Sequence, residues 1–132
     1  MKKLLIATAM CACASLGIST NGWAEWKYVG GTEDFDAYID LATIRKQEGT
    51  VEMWVLREYA TVHRVGERMF LSIEVREEYD CHEGQSRALF MVWYSGRTGS
   101  GEVLATYGEP TRWRPIGATT MSETLWKTAC KQ

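Results

Sequence analysis

The sequence predicts an α+β fold: an antiparallel meander sheet of about six strands with one C-terminal helix packed on a face. Three observations predict it. Runs of alternating apolar and polar residues follow one another from Trp26 to Tyr107, the period of half-buried strands. Short turns of glycine and polar residues separate them, leaving no room for the long crossovers that parallel neighbours require. Near the end, Thr120-Met121-Ser122-Glu123 has the S/T-x-x-E spacing that opens a helix.

The first strand is Trp26-Lys27-Tyr28-Val29, closed by Gly30-Gly31. The second runs from Phe35 to Leu41, with Phe35, Ala37, Ile39 and Leu41 toward the core and Asp36, Tyr38 and Asp40 toward water. Gln47 to Thr50 turns the chain into Val51 to Val62, rich in β-branched and aromatic residues. The fourth strand, Arg68 to Cys81, is the clearest: Met69, Leu71, Ile73, Val75, Tyr79 and Cys81 share one parity and predict a core face. Glu77 is discordant in that set and marks a sheet rim or a bulge. His82 to Gln85 is a hairpin turn into the strand Arg87 to Tyr94, and Gly96 to Gly101 turns into Glu102 to Tyr107. Gly108 to Thr119 holds both prolines, Pro110 and Pro115, and is expected to be irregular. In the helix, Met121, Leu125 and Ala129, or Trp126 and Cys130, fall at i, i+4 spacing, with Lys127 and Lys131 in water.

The chain opens with Met1-Lys2-Lys3 and an apolar stretch from Leu4 to Ile18, then the polar break Ser19-Thr20-Asn21 and the small residues Gly22 and Ala24. This is the pattern of a secretion signal cut after Ala24, and residues 25–132 are expected to form a single domain in the periplasm or at the cell surface. Cys11 and Cys13 follow Thr8-Ala9-Met10 and Met10-Cys11-Ala12, not the leucine and small residues of a lipoprotein site, so no lipid anchor is expected. No apolar run of ~18 residues follows position 24, so no transmembrane segment is expected in the mature chain. The formal net charge is −2, and loss of Lys2 and Lys3 with the leader makes it more acidic. That argues against a generally basic, nucleic-acid-binding domain. The mature chain keeps two cysteines, Cys81 and Cys130, and in an oxidising compartment a disulfide is the default. Such a bridge bolts the helix to the end of the fourth strand.

Taken together, the Trp26 strand, Tyr38-Ile39-Asp40 leading to Ile44-Arg45, the Trp54 strand, Glu78-Tyr79-Asp80-Cys81, Tyr94 with its Gly96 to Gly101 turn, and a helix ending in Cys130 resemble the bacterial surface-adhesin protein E family. The resemblance covers essentially the mature chain. It implies a six-stranded antiparallel sheet, a C-terminal helix tethered through Cys81 and Cys130, and a role in binding host extracellular-matrix or serum proteins.

No constellation for catalysis, a metal or a cofactor emerges from the residues. Asp34, Asp36 and Asp40 fail the calcium-loop spacing because Ile39 stands where glycine is required, and they read as a solvated strand face. Asp80-Cys81-His82-Glu83 reads as a turn. His63 has no recognisable nucleophile partner. Gly96-Arg97-Thr98-Gly99-Ser100-Gly101 lacks the Lys-Ser/Thr of a phosphate loop and joins two strands. The binding candidate is Arg112-Trp113-Arg114, an Arg-flanked tryptophan in an irregular segment. An exposed edge strand is a second place for a partner, as a homodimer or with an extended peptide. The residues thus lead to a non-enzymatic envelope binding protein; the alternative is a periplasmic protein with a structural or homeostatic role and no host ligand.

Overall fold

The computed structural model describes residues 24–132; the bulk of the expected signal segment, residues 1–23 with Cys11 and Cys13, lies outside the described residues. Six antiparallel strands lie side by side in sequence order: β1 (Lys27–Gly31), β2 (Phe35–Lys46), β3 (Thr50–Val65), β4 (Arg68–Asp80), β5 (Gln85–Tyr94) and β6 (Val103–Tyr107). A two-residue strand, β7 (Arg114–Pro115), pairs with β5, and α1 (Met121–Cys130) follows. The meander and its helix are those the sequence predicts.

One face of the sheet carries the main core. Ile39, Val55, Val75 and Met91 stand in register across β2 to β5. Leu125 and Ala129 of α1 pack into the cluster of Ile39, Val51, Met53, Val55 and Tyr79. Further along the sheet, Tyr59, Phe70, Ile73 and Val75 form a second cluster with Phe35, Met91, Trp93 and Leu104. The helix lies over the first cluster, tied there by the disulfide between Cys81 and Cys130, whose Cα atoms are 5.7 Å apart. Trp126 adds a hydrogen bond from Nε1 to the Asp80 carbonyl, 2.9 Å. Thr120 caps the helix, its Oγ1 accepting from Glu123 N at 3.2 Å. No described helix is long and apolar enough to cross a membrane.

The alternation read from the sequence breaks where the strand register shifts. Between Asp40 and Arg45, four residues of β2 oppose Met53 alone. The parity resets, Leu41 emerges 43 % exposed instead of entering the core, and β2 continues to Lys46. Asp40, expected in water, is buried, and its Oδ1 accepts from Ala42 N at 3.1 Å to shape the bulge. In β3, Tyr59 to Val62 oppose Leu71 alone, so Met69 stands 56 % exposed and Phe70 takes its place in the core. Extra residues on one strand bend it and raise its twist, so alternation cannot be carried through such a point. A third shift, at Arg76 and Glu77 opposite β5, coincides with the discordant Glu77: it is a bulge site, and the carboxylate is buried.

Gly96 to Gly101 is a hairpin connection as predicted. Its backbone folds back on β4, Gly99 N donating to Ser72 Oγ at 3.0 Å and Ser72 Oγ to Gly96 O at 2.6 Å. Gly99 has φ +64°, a left-handed conformation that favours glycine, and the Glu74 carboxylate lies against it. Arg97 reaches on to the β3 bulge, donating to Tyr59 O at 3.1 Å.

Candidate functional site

The segment from Gly108 to Thr119 is less irregular than its two prolines suggest. After β6 the chain returns along the same edge of β5: Thr111 N donates to Ala88 O and Ala88 N to Thr111 Oγ1, both 2.9 Å, and Arg114 and Pro115 register with Ser86 and Gln85. The edge N–H and C=O groups of β5 bind this returning backbone, which orders Arg112, Trp113 and Arg114 in space.

Consecutive residues of an extended chain point to opposite faces, and the triplet divides accordingly. Trp113 is half-buried, with the Arg87 guanidinium 4.4 Å above its ring. Arg87 is held in turn by Glu78, Nε to Oε1 at 2.7 Å. Cation–π stacking and a charge-assisted hydrogen bond therefore clamp the indole to the sheet. Arg114 lies on the helix side, where a cleft of about 240 Å³ is lined by Arg57, Glu77, Ser86 and Ser122. Arg112 is exposed. The structure thus brings Trp113 to Arg87 and Glu78, and Arg114 to Arg57 and Glu77, rather than forming one three-residue patch.

Half-buried Arg57 joins buried Glu77 and Tyr79 in a polar group between the two apolar clusters. Arg57 Nη2 donates to Glu77 Oε1 at 3.1 Å, and the Tyr79 hydroxyl to Glu77 Oε2 at 2.8 Å. Burial, and then the Glu77 charge, hold the Tyr79 pKa well above 10.0. For Arg57, burial works to lower the pKa, but the Glu77 carboxylate and the neighbouring Tyr59 raise it overall, so the guanidinium keeps its charge. The Phe35 ring lies 5.5 Å from that guanidinium.

Residue reading from the sequence missed Arg57 and Arg87. Their partners lie on neighbouring strands, a separation no local pattern reports; the misfit of Glu77 was the one available signal. The remaining chemistry-bearing residues have structural settings. His63 stacks on Tyr59 at 4.5 Å and Phe70 at 5.8 Å. His82 is exposed in the turn after β4, where Asp80 Oδ1 accepts from His82 N and Glu83 N at 3.0 Å each. Cys81 is oxidised.

The family model for surface-adhesin protein E matches residues 26–131. Among solved structures, crystal form II of Haemophilus influenzae protein E superposes with a TM-score of 0.63 at 14 % identity, over 79 % of this chain and 87 % of that one. A second structure of Haemophilus influenzae protein E gives 0.62 at 14 % identity, over 79 % and 83 %. At that identity the likeness is one of fold. Comparison with curated protein sequences gives no match.

Proposed function

The chain belongs to the surface-adhesin protein E family, and from that premise we propose that it is an exported, non-catalytic binding protein of the bacterial envelope that engages host matrix or serum proteins. The family match over 26–131 carries the reading. The surface that best suits it is the β5 edge bearing Arg112, Trp113 and Arg114. The Trp113 ring clamped by Arg87 supplies contact area already ordered before binding, with Arg112 and Arg114 beside it in the chain on the other face, and aromatic and arginine side chains dominate binding energy where they form hot spots.

The test is saturable binding of the purified protein to an immobilised matrix protein. Trp113→Ala should weaken it more than tenfold, the effect of an anchor worth about 2 kcal/mol, with the thermal unfolding midpoint showing that the fold persists. Equal binding by wild type and Trp113→Ala would remove this edge from the proposal, and no saturable binding to any matrix or serum protein would remove the adhesive role.

One feature favours a second reading. The Gly22-Trp23-Ala24 cleavage pattern is that of an ordinary exported protein, which would leave the chain in the periplasm with a structural or homeostatic role. Location separates the two readings.

A further inference from the structure

The cleft between β5, β7 and the first turn of α1 is one-sided in its hydrogen bonding. Arg57, Arg114, Ser86 and Ser122 bring N–H and O–H donors to it, and Glu77 is its one carboxylate. Both Glu77 oxygens are already engaged, one by Arg57 and one by the Tyr79 hydroxyl. Arg57 has five N–H donors, of which Glu77 takes one at 3.1 Å and the Tyr59 side chain is the other polar neighbour, and its side chain remains 30 % exposed. Arg114 has no ion pair among the described residues, and the Ser86 and Ser122 hydroxyls have no hydrogen bond there. Arg87 also lines the cleft but is paired with Glu78 at 2.7 Å, so Arg57 and Arg114 against Glu77 leave an excess of one positive charge. Ala88 and Met91 add an apolar part to the lining.

A ligand that answers this lining brings acceptors without donors, one negative charge, and an apolar portion beside the charged end. Inorganic sulfate or phosphate would bring more charge than the excess and would leave the apolar part of the lining bare. A carboxylate fits the planar fork of arginine. We propose that this cleft binds a small monocarboxylate with a short apolar stem, its head held by Arg57 and Arg114 and its stem along Ala88 and Met91. The site goes beyond host-protein binding and stands without it, although Arg114 belongs to both surfaces.

Butyrate is a suitable probe, titrated into the ¹⁵N-labelled protein, with butyramide as an uncharged analogue of the same shape and sulfate as the inorganic anion. Butyrate should shift the amides of Ser86, Ala88 and Ser122 saturably, and butyramide should not. Arg114→Gln, a change at an exposed side chain, should weaken butyrate at least tenfold, and Arg57→Lys should weaken it while keeping a cation beside Glu77 and hence the fold. Shifts absent from the cleft, butyramide binding as well as butyrate, sulfate binding as tightly, or unchanged affinity in Arg114→Gln would each overturn the assignment. Trp113→Ala separates the two proposals: loss of matrix binding with butyrate binding intact supports both. Butyrate binding with no matrix binding supports the cleft and overturns the adhesive role; matrix binding with no butyrate binding does the reverse.

Discussion

Glu77 occupies a strand position that alternation reserves for an apolar side chain, and its two oxygens are satisfied by Arg57 and Tyr79. Removing either partner strands a buried charge. Tyr79→Phe should therefore cost about 1.5–3 kcal/mol at neutral pH, the range for a hydrogen bond to a charged group, read by urea unfolding. The same pair sets an alkaline limit. Because the folded-state pKa of Tyr79 is raised, its contribution is fully present below about 10.0 and is lost as pH rises from there toward the folded value. Tyr79→Phe should flatten that decline, and an unchanged alkaline limb would contradict the assignment. Asp80 acts at the acid end. The backbone N–H of Glu83, opposed by burial and helped by that of His82, lowers its pKa below 3.8. Its stabilisation is present above 3.8 and disappears as pH falls through the lower folded value, so Asp80→Asn should reduce the loss of stability on acidification. Glu77 was visible in the sequence as a misfit; Arg57 was not, since it lies 20 residues away on β3 and only the sheet register brings it near.

At the scale of elements, the helix start was legible because its signal is local. Thr120 caps Glu123 N as the S/T-x-x-E spacing requires. The reciprocal half of the capping box is replaced by an i, i+4 ion pair, with Lys127 Nζ 3.1 Å from Glu123 Oε1. Thr120→Ala should lower stability by about 1 kcal/mol, measured by chemical denaturation; no change would mean the cap is dispensable. The strands were legible wherever alternation ran unbroken, as from Ile73 to Val75 and from Val51 to Val55. Leu41 and Met69 were misplaced because each follows or faces a bulge, and a bulge is set by how neighbouring strands curve over the core. The β2 bulge is held by Thr43, whose Oγ1 accepts from Trp54 N at 3.0 Å and donates to Asp40 O at 2.6 Å. β7 escaped notice because two residues carry no period at all.

Across the whole molecule, the helix and the sheet are joined by one covalent link between residues 49 apart in sequence. Closing such a loop constrains the unfolded chain by about 4 kcal/mol in the entropy model, a large share of what holds a domain of this size together. Cys81→Ser should sharply lower the thermal midpoint, and an unchanged midpoint would show that burial of Leu125 and Ala129 alone fixes the helix. The outer edges of β1 and β6 have no strand neighbour among the described residues, and exposed Val103 and Tyr107 flank the β6 edge. We propose this edge as the place for a second copy, and sedimentation at rising concentration tests it: a single species at all concentrations would overturn the dimer. The proposed binding surface was only partly legible: Arg112, Trp113 and Arg114 stood out as residue types, but their division between two faces depends on the pairing of β7 with β5.

The adhesive role requires the protein to stand outside the cell. The most direct measurement is protease treatment of intact cells producing the native protein, with a known periplasmic protein as the control that must survive. A surface adhesin is lost while the control persists. Survival of both would place it inside the outer membrane and contradict the adhesive reading.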